Sequence, residues 1–325
     1  MRLPLPGTLL SSGLRYEVAS LKQQITTTSK EATTGQYADL TAHLSGRIGN
    51  AMLSQKALDD IQNERTRLSL REGRLDLTQS SLAIVADSTG TLPARMQTAL
   101  ASGDAVTQQA IARDARTSLE QSFAALNSRH GERFLFAGDA TDSPPFGSVD
   151  TFLDDVRTIA EGSTSAADFE TALDAYFNTP GSGWQANVYT GSATSSDPEA
   201  VTGMDPSLLK IFAGLAVAAL SAPGDSPSVF RASDDVMLSA SQKMFAGQTD
   251  LTNVRADVGV SQSQVQKAKE SLDTEETVFT ASLNQLTARD QYEAAASLQE
   301  LETNLEASYM LTARLANLNI MNFMG

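Results

Sequence analysis

The sequence predicts a mainly α-helical fold: a long antiparallel helical bundle or coiled coil built from the N- and C-terminal segments, with an inserted loop-rich α+β middle domain. Three observations predict it. Residues 260–324 contain neither Gly nor Pro. An apolar residue recurs at every seventh position, at Leu251, Val258, Val265, Leu272, Phe279 and Leu286. Seven residues are close to two helical turns, so these side chains draw one slowly drifting stripe along a helix. Between residues 138 and 250, by contrast, fall seven of the ten prolines, ten of the 21 glycines and the single tryptophan, Trp184, which is the composition of loops and short elements.

From the N-terminus, Leu14, Val18, Leu21 and Ile25 are spaced by 4, 3 and 4 residues, which places them on one face of a helix ending near Gly35. A less regular stretch with Gly46 and Gly49 follows. The next helical run, over about 51–87, carries two heptad rows: Leu68, Leu75 and Leu82, and beside them Leu70, Leu77 and Ile84. An offset of two residues turns the helix by about 200°, so the rows lie on nearly opposite faces. Both faces are expected to be covered, one by the chain's own bundle and the other by a neighbouring copy, or both within a monomer. Gly90 and Pro93 interrupt the pattern. Ser102-Gly103-Asp104 then offers an N-cap for a third helix, with Ile111, Ala115, Leu119, Phe123 and Leu126 facing inward and an end near His130-Gly131.

The middle segment is expected to hold short strands, such as residues 187–190, and one or two helices. Residues 208–222 form the most apolar run of the chain. It carries Lys210 and is shorter than the ~20 residues of a membrane span, so it reads as a buried core helix. Helical periodicity resumes at Leu251. An unbroken helix from about 251 to 318 would reach roughly 100 Å and needs partners along its length, so the chain reads as a rod within an assembly of identical subunits. The last helix is longer than any N-terminal one and has room for several of them. The expected organisation is a terminal segment 1–40 pairing with 290–325, a helical rod 41–137 pairing with 245–289, and an outward-facing domain 138–244. The short first helix is marginal alone in water, so the outermost pair is expected to order on packing against copies.

Composition narrows the function classes. The 325 residues include no cysteine, which excludes disulfides, thiolate metal sites and cysteine nucleophiles. The two histidines, His43 and His130, lie 87 positions apart and suggest no metal site. The net charge is −15; residues 138–250 hold 16 Asp plus Glu against 4 Lys plus Arg, a balance of −12. The acidity is therefore concentrated in the middle, while the nearly balanced ends can approach copies of themselves. An acidic surface without a basic stripe excludes nucleic acid as a favoured partner. Pro4, Pro6 and Gly7 interrupt Met1–Leu10 before an apolar core of signal-peptide length develops, so no cleavable signal is expected. No catalytic, cofactor-binding or metal-binding constellation is read: there is no phosphate-cradling loop, no nucleotide-binding glycine pattern and no serine paired with histidine in a known motif. Asp154-Asp155 and Asp234-Asp235 lack the ligand spacing of a calcium loop.

One passage points to a family. Asn127-Ser128-Arg129-His130-Gly131-Glu132-Arg133-Phe134-Leu135-Phe136-Ala137-Gly138 continues through Thr141 to Pro144-Pro145-Phe146. It is similar to a passage of the flagellin superfamily in which an aromatic residue, Leu-Phe-Ala-Gly, a threonine and Pro-Pro-Phe mark the handover from the third helix to the middle domain. Phe134, Phe136, Gly138, Pro144, Pro145 and Phe146 carry the likeness. The closing stretch from Tyr292 through Leu298 and Leu301, then Leu305, Leu311, Leu315 and Leu318, with the apolar tip Ile320 to Met324, also resembles that superfamily's last helix. Gly46-Arg47-Ile48 matches its segment after the first helix, although the Ser-Asp-Asp-Pro turn that follows there is absent. The chain most resembles the hook-associated protein 3 branch, which forms the junction between hook and filament; flagellin itself is the nearest alternative, and a ligand-binding adhesin acting through the middle domain a more distant one.

The resemblance implies a non-enzymatic structural subunit of the bacterial flagellum. It would be exported unfolded without a cleaved signal and assembled outside the cell through its terminal helices. The implied partners are identical subunits, hook-associated protein 1 on the hook side, flagellin on the filament side, the flagellar export apparatus and an export chaperone.

Overall fold

The computed structural model describes residues 6–324 of the chain, with side chains at 12–314. Eleven helices run in the order α1 (Pro6–Thr34), α2 (Leu40–Leu44), α3 (Ile48–Thr89), α4 (Leu92–Ser102), α5 (Ala105–Leu126), α6 (Val149–Gly162), α7 (Ala166–Asn178), α8 (Pro206–Leu220), α9 (Ser228–Ala232), α10 (Asp235–Thr287) and α11 (Gln291–Met324). One two-stranded antiparallel hairpin, β1 (Arg129–His130) and β2 (Arg133–Phe134), turns at Gly131, whose φ of +62° suits glycine. The fold is mainly α, as expected. Contacts divide it into two compact units, residues 1–65 with 271–325, and residues 66–270.

Local signals account for most helix ends. Gly35, at φ +68°, ends α1 and donates its N–H to Glu31 O, a left-handed C-terminal stop. Asp39 caps α2 through Ala42 N–H. Asp104 caps α5 by accepting from Val106 and Thr107 N–H, while Gly103, at φ +64°, closes the helix before it. Ser148, Ser165 and Asp205 cap α6, α7 and α8 in the same way. Helix α4 adds to the expected elements, since Pro93 does not act as a break. It stands instead in the first turn, where its missing N–H costs nothing.

Three expectations need correction. The helix expected to run unbroken over 251–318 is two helices, separated at residues 288–290. The third predicted helix ends at Leu126 rather than near His130; Asn127 then turns the chain by donating its Nδ2 to Phe146 O and accepting Phe146 N–H on Oδ1, both at 2.9 Å. The middle segment is helical rather than α+β: α6, α7, α8 and α9 lie within it, and the strand expected at 187–190 is a single π-helical turn, Trp184–Val188, followed by an isolated bridge between Tyr189 and Phe146. Aromatic burial decides this, since Trp184, Val188 and Tyr189 all point into one core.

That core lies in the unit of residues 66–270. Trp184 is fully buried with ring centroids of Phe123, Phe146, Phe152, Phe177 and Phe212 at 5.2–6.3 Å. Most of these contacts are edge-on or tilted, the arrangement that ring quadrupoles favour. Helix α8 is the predicted core helix. It is buried on nearly every side and packs on α5 and α6. Its Gly214 lets α10 come close, since a Cβ there would stand 2.1 Å from Met244 Cγ and 2.7 Å from Ala240 O. No helix among the described residues is long and apolar enough to cross a membrane.

Candidate assembly surfaces

The unit of residues 1–65 and 271–325 is thin. α1 packs along α11, so the two ends of the described chain lie side by side. In such a pair each helix has one neighbour, and burial is correspondingly incomplete. Leu14, Val18, Leu21 and Ile25 on α1, and Leu298, Leu301 and Leu305 on α11, are all half-buried. The side chain of Leu315, like those of Leu318 and Ile320 to Met324, lies outside the described residues. A fully buried Leu contributes about 2–3 kcal/mol and a half-buried one about half that. Seven such positions give a modest total against the ordering of 29 and 34 residues. The same unit exposes Tyr16, Tyr292, Tyr309, Met310 and Leu311.

The heptad row of α10 divides by unit. Leu251, Val258 and Val265 are buried, whereas Leu272, Phe279 and Leu286 are half-buried. Within residues 66–270 the helix lies beside α3, through Glu72–Lys269 and Asp76–Gln262, and is covered further by Gln97 of α4 and by α8. In the other unit α10 meets α3 through Arg65, which pairs with Asp273 and Glu276, and through Ser54–Ser282 at 3.5 Å. The two rows of α3 separate as well. Leu68, Leu75 and Leu82 are buried; Leu77 is half-buried, and Leu70 and Ile84 are 61% and 44% exposed. Within the chain α3 is therefore covered on one face, so of the two arrangements expected for its rows the one with both faces covered inside a monomer is not seen.

The passage that carried the family likeness is a packing knot rather than a surface. Phe134, Phe136, Gly138, Pro145 and Phe146 are buried, and Pro144 is exposed. Phe136 O accepts Gly203 N–H and the Tyr189 hydroxyl. Burial pushes the Tyr189 phenol up to about 12. Gly138 is required twice over: its φ is +60°, and a Cβ would stand 2.5 Å from the carbonyl oxygens of both Ser192 and Thr194. The order of residues marks the helix end and the turn; the long-range partners Tyr189, Ser192 and Gly203 could not be read from it.

Sequence reasoning also missed two charged constellations. Arg71 holds Glu199 with two hydrogen bonds, at 2.9 and 2.5 Å, while Arg74 pairs with Asp197 and reaches Glu199 at 3.1 Å. This fork ties the acidic loop before α8 to α3. The Arg71 guanidinium holds the Glu199 carboxyl below its ordinary 4.5, helped by Ser261. A carboxylate with a lowered folded pKa stabilises fully above its unfolded value and loses that contribution as pH falls through the folded value. Amide exchange in residues 192–203 is therefore expected to be unchanged between pH 7 and 5 after correction for intrinsic rates, and to accelerate below about pH 4; Glu199→Gln is expected to show the faster exchange already at pH 7.

The second constellation joins the two terminal segments. Glu31, 5% exposed, pairs with Arg289 and accepts Ala38 N–H on its other oxygen at 2.9 Å. Beside it Gln36 and Ala288 form an antiparallel bridge, with Arg289 N–H on Gly35 O at 2.9 Å and Tyr37 N–H on Thr287 O at 3.1 Å. The Arg289 guanidinium lies 5.5 Å from the Tyr37 ring centre, and Tyr37 stacks on His43. Asp290 then caps α11 through Tyr292 N–H at 2.8 Å. One signal was available: Asp290 followed three residues later by Glu293 is a helix-start pattern. No group of three metal-ligating side chains is found among the described residues.

Residues 246–324 match the family model of the bacterial flagellin C-terminal helical region. A search of curated proteins finds no match. The matched segment covers most of α10 and all of α11, the helices that carry the heptad row and the terminal seam.

Proposed function

We propose that this chain is a structural subunit of the bacterial flagellum that self-assembles with identical copies through its terminal helices. The observation that carries the reading is the half-buried pair α1–α11, whose second helix lies in a segment that matches a flagellin helical region; other copies would supply the remaining cover of its apolar seam. Assembly through these helices would bury further apolar surface at about 25 cal/mol per Å². The likeness of Phe134–Phe146 to the junction branch favours a place between hook and filament, with hook-associated protein 1 and flagellin as neighbours and export through the flagellum's own apparatus with a chaperone. The match of residues 246–324 to a flagellin region equally favours the filament subunit itself.

Electron microscopy of a strain lacking the chain separates the two. Hooks without filaments, with flagellin shed into the medium, are expected for the junction subunit. Hooks without filaments and no shed flagellin would assign the filament role, and unaltered flagella would overturn both.

A further inference from the structure

The stretch Thr287-Ala288-Arg289-Asp290-Gln291 contains no glycine or proline, and Ala, Arg and Gln are good helix formers. It nevertheless separates α10 from α11. A continuous helix would give Arg289 N–H to the carbonyl of residue 285 and the Thr287 carbonyl to Gln291 N–H. Here both groups are spent on the crossing segment: Arg289 N–H binds Gly35 O, and Thr287 O accepts Tyr37 N–H. The exchange of backbone bonds is nearly even, so it does not decide between a broken and a continuous helix. The Asp290 cap favours the break, while Ala288, Arg289 and Gln291 favour continuity.

The remaining contributions are the Glu31–Arg289 pair and the Arg289 guanidinium 5.5 Å from the Tyr37 ring centre, and the buried ion pair is the larger of the two. Glu31 is buried, with one oxygen on Arg289 and the other on Ala38 N–H. Running the helix on through 289 would carry Arg289 away from it and leave a buried carboxylate without its cation. We propose that residues 288–290 are a conditional joint. α10 and α11 meet as two helices while Glu31 holds Arg289, and they fuse into one helix when that pair is released, freeing α1 from its fixed register on α11. The seam between α1 and α11 is a repeat of similar aliphatic residues that would tolerate a shift by one heptad, so a buried charge pair is the element suited to fixing register. The joint does not depend on the flagellar reading.

Hydrogen exchange on the full chain tests it, with helix content followed by circular dichroism. In the unmodified chain the amides of Asp290 and Gln291 stand at a helix start and exchange quickly. In Glu31→Gln they are expected to slow by roughly tenfold as the fused helix protects them, with helix content kept. Arg289→Leu, which removes the cation and favours a helix, is expected to do the same. Simple loss of a stabilising contact would accelerate exchange there instead. Unchanged or faster exchange at 290–291 in folded variants overturns the proposal, as does loss of helix content in both, since fusion conserves it. Flagellar assembly is not part of the readout, so failure of the joint and failure of the functional reading are separable.

Discussion

Truncation after Asp290 is expected to give a soluble monomer that keeps the core of residues 66–270 intact and has lost assembly altogether. The α11 helix supplies the partner face for Leu14, Val18, Leu21 and Ile25, and without it the 29-residue α1 has no apolar surface to bury against. Isolated helices of modest length are marginal in water, so α1 is expected to fray. The aromatic core lies wholly in the other unit and draws nothing from α11. Thermal unfolding followed by Trp184 emission should therefore keep its midpoint within about 2–3 °C, a shift corresponding to less than ~1 kcal/mol for a unit of this size. Helical circular dichroism should fall by more than deletion of residues 291–325 explains, because α1 unwinds as well. A truncated chain that retains an ordered α1 would show that α11 is not its support.

The second large effect is expected at Phe123. Its ring touches Phe146, Phe152, Trp184 and Phe212 with centroids 5.2–6.3 Å away, and it is 3% exposed. It joins α5 to the loop before α6, to α6 itself, to the π-helical turn and to α8. Phe123→Ala is expected to destabilise the unit of residues 66–270 by about 3–5 kcal/mol, the usual cost of emptying a large aromatic site. The readout is the denaturant midpoint of Trp184 emission, a single-residue probe because the chain has one tryptophan. Leu70→Ala on the exposed row of α3 is the matched control. With 61% of its surface accessible, it should cost within about 0.5 kcal/mol in the monomer. Similar costs at the two sites would contradict the core as described.

Sequence periodicity disclosed the helices because it depends only on local spacing. The heptad row from Leu251 to Leu286 and the seam Leu14–Ile25 lie on helices as read, and Asp104 caps α5 at the expected place. Periodicity could not say how many neighbours each helix has. Leu68 and Leu70 are equally apolar, yet one is buried and the other exposed, because the second face of α3 has too little within the chain to cover it. Tertiary bonds decided the points that were misread. The segment at 288–290 is bonded to Glu31, Gly35 and Tyr37, some 250 positions away in sequence, and spacing along the chain carries no sign of those partners. The turn at Trp184–Val188 depends on a core drawn from four other helices and the loop before α6. The glycines and prolines of the middle segment indicated loops correctly, and α8 is legible from its apolar run despite Pro206 in its first turn and Gly214 at a helix crossing, whereas the segment holds four short helices, α6 to α9, instead of the one or two expected.

The central claim is that the paired ends, α1 with α11, carry assembly. The most direct measurement is electron microscopy of cells whose only copy of this chain is truncated after Asp290, with the truncated product confirmed as folded by its Trp184 emission. The account predicts hooks that end bare, whichever of the two flagellar positions the subunit occupies. Filaments of normal length on those hooks would contradict it.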